Sequence, residues 1–135
     1  MPQVPAPEIQ VAAAAIERGG LILIGQRERG SRHPLKWEFP GGKVEPGESP
    51  RDALQRELRE ELAIEAVIGQ ELDRYDVQYP GGILTHLFFY RVTEFSGEPQ
   101  NLDFEQIVWE RPALLSIYDF LEGDVAFIRK LESGV

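Results

Sequence analysis

The feature that most constrains this chain is a helix start placed directly behind a glycine loop. Ser49 is a capping residue, Pro50 suits a first helical position, and Asp52 completes a Ser-x-x-Asp variant of the capping box. Immediately before them stand Gly41, Gly42 and Gly47. The helix that follows carries an apolar stripe of Ala53, Leu54, Leu58 and Leu62. Glu57, Glu60 and Glu61 fall on the adjacent stripe, because separations of three and four residues bring helical side chains together. One side of this helix must therefore lie on an apolar layer while its carboxylates gather beside the glycines. Crowding them costs a few tenths of a kcal/mol per repelling pair, roughly, unless cations intervene.

The surrounding segments read as strands. Ile9–Ile16 suits a strand, although its four alanines leave a helix equally open on periodicity alone. Glu17-Arg18-Gly19-Gly20 supplies a turn into the β-prone run Leu21-Ile22-Leu23-Ile24, and Arg27–Lys36 is a polar loop leading to Trp37-Glu38-Phe39. A strand is expected within Ile64–Gln78, a turn at Pro80-Gly81-Gly82, and strands at Ile83–Val92 and Ile107–Trp109. Pro112 can start a short helix, and Val125–Leu131 supports a C-terminal one. The pattern predicts an α/β protein, a mixed sheet flanked by helices, as a single domain over residues 1–135.

Composition removes several classes of function. The formal charge of −9, from 14 basic and 23 acidic residues, argues against a stable complex with long nucleic acid. It is compatible with a small phosphorylated ligand, because metal ions reverse the field of a carboxylate cluster. No apolar run has transmembrane length, and Met1-Pro2-Gln3-Val4-Pro5 lacks the features of a secretory signal. The absence of cysteine excludes disulfides and thiolate metal sites and fits a cytoplasmic protein. Neither His33 nor His86 belongs to a zinc signature.

Mg²⁺, with Mn²⁺ as a substitute, prefers oxygen ligands and commonly bridges carboxylates and phosphates. Glu57, Glu60 and Glu61 can face one such ion, with Glu48 approaching from the loop. Taken alone, the glycines also suit an ordinary loop, and the glutamates a solvated helix face.

The full spacing resembles the Nudix hydrolase family. The family pattern is Gly, five residues, Glu, seven residues, then Arg-Glu-apolar-x-Glu-Glu-x-Gly-apolar. Here it reads Gly42, Glu48, then Arg56-Glu57-Leu58-Arg59-Glu60-Glu61-Leu62-Ala63-Ile64, with Ala63 in place of the last glycine. The resemblance implies an α/β/α sandwich and metal-dependent attack by water on a phosphoanhydride. It makes Glu57, Glu60 and Glu61 metal-binding residues, joined by the Gly41 carbonyl. Glu57 is the first candidate to orient or deprotonate water, the alternative being that it serves mainly as a ligand while another loop carboxylate takes the proton. Glu48 is a support of the network, and Arg56 the clamp on the glutamates.

Trp37-Glu38-Phe39-Pro40-Gly41-Gly42-Lys43-Val44-Glu45 resembles the MutT-type branch. That implies release of pyrophosphate and a nucleoside monophosphate from a modified or noncanonical nucleoside triphosphate, with 8-oxo-dGTP and cytidine nucleotides among the candidates. Arg27 and Lys43 are then phosphate contacts, and Phe39 belongs to the base pocket or to packing of the loop. Asp124 contacts the base or caps the last helix, and Asp103 or Glu105 adds an acid near the metals. Dinucleoside polyphosphates, nucleotide sugars and RNA 5′ ends are alternative substrates. A noncatalytic nucleotide sensor is an alternative of another class, and the chain is expected as monomer or homodimer.

Overall fold

The computed structural model describes residues 7–134. The proline-punctuated leader lies outside them. Among the described residues there are nine strands: β1 (Glu8–Arg18), β2 (Leu21–Gln26), β3 (Trp37–Glu38), β4 (Gly41–Lys43), β5 (Glu65–Val67), β6 (Glu71–Tyr79), β7 (Ile83–Val92), β8 (Glu94–Ser96) and β9 (Gln106–Glu110). Helix α1 spans Pro50–Leu62 and α2 spans Val125–Glu132, with 3-10 turns at Pro112–Ile117 and Glu122–Asp124.

The central sheet is mixed. β1 runs parallel to β7 from Glu8 opposite Leu84 to Ile16 opposite Val92, and the sheet's other strand-to-strand pairings are antiparallel. The alanine run belongs to β1, resolving the open choice in favour of a strand. Ala12, Ala14 and Ile16 enter one core with Leu54, Leu58 and Leu62 of α1, while Ala13 and Ala15 enter the other with Phe127, Ile128 and Leu131 of α2. A strand covered on both faces shows continuous apolar character instead of alternation, which is why periodicity could not identify it. Burial of each α1 leucine contributes about 2 kcal/mol.

β1 and β2 pair only beside their turn, at Glu17–Ile22 and Arg18–Leu21, where Gly19 and Gly20 both take the left-handed conformation. Beyond it the two strands diverge. The segment Trp37–Lys43 fills the gap: Trp37 and Glu38 pair with β2, whereas Gly41, Gly42 and Lys43 pair with β1. The Pro40 carbonyl accepts from Ala14 N at 2.9 Å between them. The glycine loop is thus held in the middle of the sheet, with α1 over one face and α2 over the other.

The start of α1 follows the expected chemistry in part. The Ser49 hydroxyl accepts from Asp52 N at 3.1 Å, and Pro50 occupies the first turn. Among the described residues, no return bond joins the Asp52 carboxylate to the Ser49 amide, so the cap is one-sided. Ala63 closes the helix at φ 56° and ψ 34°, and its N–H donates to Arg59 O at 3.0 Å. That left-handed exit is where glycine carries no steric penalty and alanine does.

Candidate active site

Arg56 organises the carboxylates. Its Nε and one terminal nitrogen hold both oxygens of Glu48, at 2.7 and 3.0 Å. The other terminal nitrogen donates to Glu57 Oε1 at 3.0 Å and to Glu60 Oε2 at 3.2 Å. A further bond reaches the Lys43 carbonyl at 3.1 Å, tying the helix to the end of β4. The guanidinium holds Glu48 down at about 2, and Glu48 and Glu57 in turn push the Arg56 pKa up. The expected clamp is therefore present, and Glu48 is its firmest partner.

The three helix glutamates do not share one environment. Glu61 is 7% exposed and accepts from Gly41 N at 2.8 Å. Burial, followed by the charges of Glu38, Glu57 and Asp103, pushes it up to about 10, against the Gly41 bond. Glu57 is raised for the same leading reason, burial, and Arg56 opposes the shift. Glu60 leaves 58% of its side chain exposed. Among the described residues no three acidic or histidine side chains are gathered as they would be around a metal ion; Glu48, Glu57 and Glu60 are instead drawn onto Arg56.

The glycines explain how the loop meets the helix. A Cβ at position 42 would stand 2.6 Å from Glu57 Oε1, so only glycine lets that carboxylate lie against the backbone. Gly41 takes φ 150°, and a Cβ there would come 2.7 Å from Ala13 Cα in β1. Gly47 turns the chain at φ 84° in open space.

Of the two acids considered ahead of Trp109, Asp103 is the one whose charge reaches Glu38, Glu57 and Glu61. Glu105 instead pairs with Arg29 at 2.9 Å. Glu38 was not expected in the site, and the structure brings it in. The rings of Trp37 and Phe39 enter the α2-side core, so the two-residue strand period turns Glu38 toward the glutamates. Arg27 binds both its oxygens at 3.0 Å, yet burial still raises its pKa. The alternation of Trp37-Glu38-Phe39 was the available signal.

A cleft of about 290 Å³ opens on the α2 side of the same segment. Ile9, Val11 and Ala13 of β1 and Thr85 and Leu87 of β7 form its floor, and Arg27, Phe39, Lys43, Tyr79 and Asp124 line its walls. Arg27 is already engaged, donating to Glu38 and, at 2.7 Å, to the Arg32 carbonyl. Phe39 is buried against Phe89, Phe120 and Phe127, so it shapes the wall by packing. Asp124 makes no side-chain cap bond to α2, which removes capping as its explanation. It is 6% exposed, and burial, then the charge of Glu38, pushes it up to about 8 while the Phe39 amide and Arg27 act against the shift. A carboxyl near neutrality can donate one hydrogen bond and accept another. His86 lies apart, 2.7 Å from Asp76.

Comparison with known proteins identifies the family and the fold. A NUDIX domain model matches residues 7–131. The CTP pyrophosphohydrolase of Escherichia coli K12 is 42% identical over 120 residues, covering 89% of this chain and 88% of its own. The 8-oxo-dGTP diphosphatase of Haemophilus influenzae is 38% identical over 124 residues, covering 91% and 90%. The solution structure of the E. coli ORF135 protein superposes with a TM-score of 0.86 at 39% identity, covering 95% of this chain and 91% of that one.

Proposed function

The chain belongs to the NUDIX domain family, and on that premise we propose that it hydrolyses a modified or noncanonical nucleoside triphosphate to the monophosphate and pyrophosphate. The observation that carries this reading is the shared Trp37–Lys43 segment, with clamped carboxylates on its α1 side and a base-sized cleft on its α2 side. Relatives named for CTP and for 8-oxo-dGTP make those two nucleotides the first to test.

The residues present fit a divalent cation. The donor set is entirely oxygen, and Glu57 and Glu61 are held above the usual carboxylate range by burial and by neighbouring negative charge. We assign Glu57, Glu60, Glu61 and the Gly41 carbonyl to its binding, with Asp103 the closer additional acid, and Mg²⁺ as the ion, replaceable by Mn²⁺. When bound, such an ion neutralises phosphate charge and acidifies the attacking water. Glu57 orients that water and takes its proton, in line with its half-buried position beside Gly42. Arg56 keeps Glu57 and Glu48 in place, and Lys43 meets phosphate at the mouth of the cleft. Arg27 acts through Glu38 as well as on phosphate. Asp124 reads the base edge.

Among the described residues no helix is long and apolar enough to cross a membrane. A single cytoplasmic domain, monomeric or homodimeric and acting on free nucleotides instead of nucleic acid, goes with this reading. The test is product identification with Mg²⁺ across CTP, 8-oxo-dGTP, the ordinary triphosphates, nucleotide sugars, dinucleoside polyphosphates and triphosphorylated RNA. Pyrophosphate and a monophosphate should appear fastest from one of the first two. Binding without cleavage across the whole panel would overturn the proposal in favour of a sensor.

A further inference from the structure

The floor of the cleft contains one unexplained polar group. β7 sends Thr85, Leu87 and Phe89 to the α2 face by the two-residue strand period, and Leu87 and Phe89 are core residues there. Thr85 lies opposite Ile9 of β1 and Val77 of β6, so its lateral neighbours are apolar. It is 2% exposed, and among the described residues its hydroxyl has no hydrogen-bond partner. Burying a hydroxyl unpaired is unfavourable, whereas valine, of nearly the same shape, would carry no such penalty at this position. Nothing in the packing of the sheet therefore requires threonine.

The position of Thr85 supplies a use for it. It lines the cleft together with Asp124, the other buried polar group that the protein leaves facing this space. We propose that the Thr85 hydroxyl is a specificity contact, making a hydrogen bond to an exocyclic amino or oxo group of the substrate base while Asp124 engages the neighbouring ring position. The inference rests on the cleft being the base pocket of a nucleoside triphosphate hydrolase. A threonine hydroxyl both donates and accepts, so it matches either kind of exocyclic group. The oxygen is shielded in the free protein, so meeting a ligand requires it to turn toward the cleft, which rotation about χ1 allows. Selectivity then comes from two polar points set in an apolar floor: a base lacking a partner for Thr85 leaves the hydroxyl unpaired, and one with a partner relieves it.

The test is the steady-state comparison of wild type, T85V and T85S on CTP, UTP, dGTP and 8-oxo-dGTP, with thermal melting of each. T85V should melt at or above the wild-type temperature. It should lose about ten-fold in kcat/KM on the preferred nucleotide through KM, with kcat little changed, and so narrow the ranking. T85S keeps the hydroxyl and should keep the ranking. An unchanged ranking in T85V, a KM rise equal on all four nucleotides, or a ranking lost in T85S and kept in T85V would each overturn the Thr85 assignment alone. A wild-type protein that cleaves none of the four would overturn the reading of the cleft, and the Thr85 assignment with it.

Discussion

The two sides of the Trp37–Lys43 segment are built in opposite ways. On the α1 side, charge is concentrated and held: one arginine grips three carboxylates, and a fourth bonds to the Gly41 amide. On the α2 side the floor of the cleft is apolar around a single buried hydroxyl, Thr85, and Asp124 is buried in a wall shared with Arg27, Lys43 and Tyr79. The first arrangement suits breaking a bond between phosphates, whatever base is attached. The second, on the proposed reading of the cleft, distinguishes bases through Thr85 and Asp124 and meets phosphate through Lys43 at its mouth. The difference teaches that reaction and selectivity should be separable by mutation, although a single seven-residue segment borders both.

The strongest challenge to that separation is E57Q. It should lower kcat roughly 10³-fold while leaving the melting temperature and the order of nucleotide preference intact, as steady-state kinetics would record. A changed preference order would show that the two sides are not independent. G42A should follow with a loss of roughly 10²-fold. The added methyl meets the flexible end of Glu57, so the fold can accommodate it by displacing the carboxylate that the chemistry needs. Circular dichroism and melting should be near wild type, and activity should not.

D124N examines the other side. Because burial raises Asp124 from 3.8 to about 8, the folded protein retains a proton there that the unfolded chain has released. Between those values stability should fall as pH rises, and above about 8 the group only accepts hydrogen bonds. The wild-type ratio of kcat/KM for two nucleotides should therefore shift by about ten-fold between pH 7 and 9, while in D124N the ratio stays flat. A pH-dependent ratio persisting in D124N would remove Asp124 from base reading. The smallest effect belongs to A63G, which relieves the left-handed alanine at the end of α1. Denaturant unfolding should report a gain of about 1 kcal/mol with unchanged kinetics, placing this position outside both sides of the site.

The α1 side was legible in the sequence because it is nearly contiguous. Gly42, Glu48, Arg56 and the glutamates come from one run of chain, and helical spacing alone puts the carboxylates on one stripe. Spacing did not reveal that Glu61 would be buried on the Gly41 amide while Glu60 faces solvent, because that depends on where β4 lies against α1. The α2 side was mostly illegible, since its lining is gathered from β1, the loop after β2, β7 and the turn before α2, with Tyr79 alone from β6. Asp124 was picked out by resemblance, with capping an equal alternative that the missing cap bond has removed. Thr85 precedes the aromatic run of β7 and becomes noticeable only when its hydroxyl is found without a partner. The left-handed backbone at Leu35 had no sequence signal, because leucine rarely adopts it.

The parallel pairing of β1 with β7 carries a consequence for the order in which the molecule matures. β4 docks on β1 through residues close in sequence, such as Val11 with Lys43, whereas the cleft floor requires Glu8 to find Leu84 across most of the chain. Closing the longer loop costs more entropy and slows the step that depends on it. During refolding the acidic end should become competent to take up a cation before any base pocket exists, and nucleotide recognition should be the last property to return.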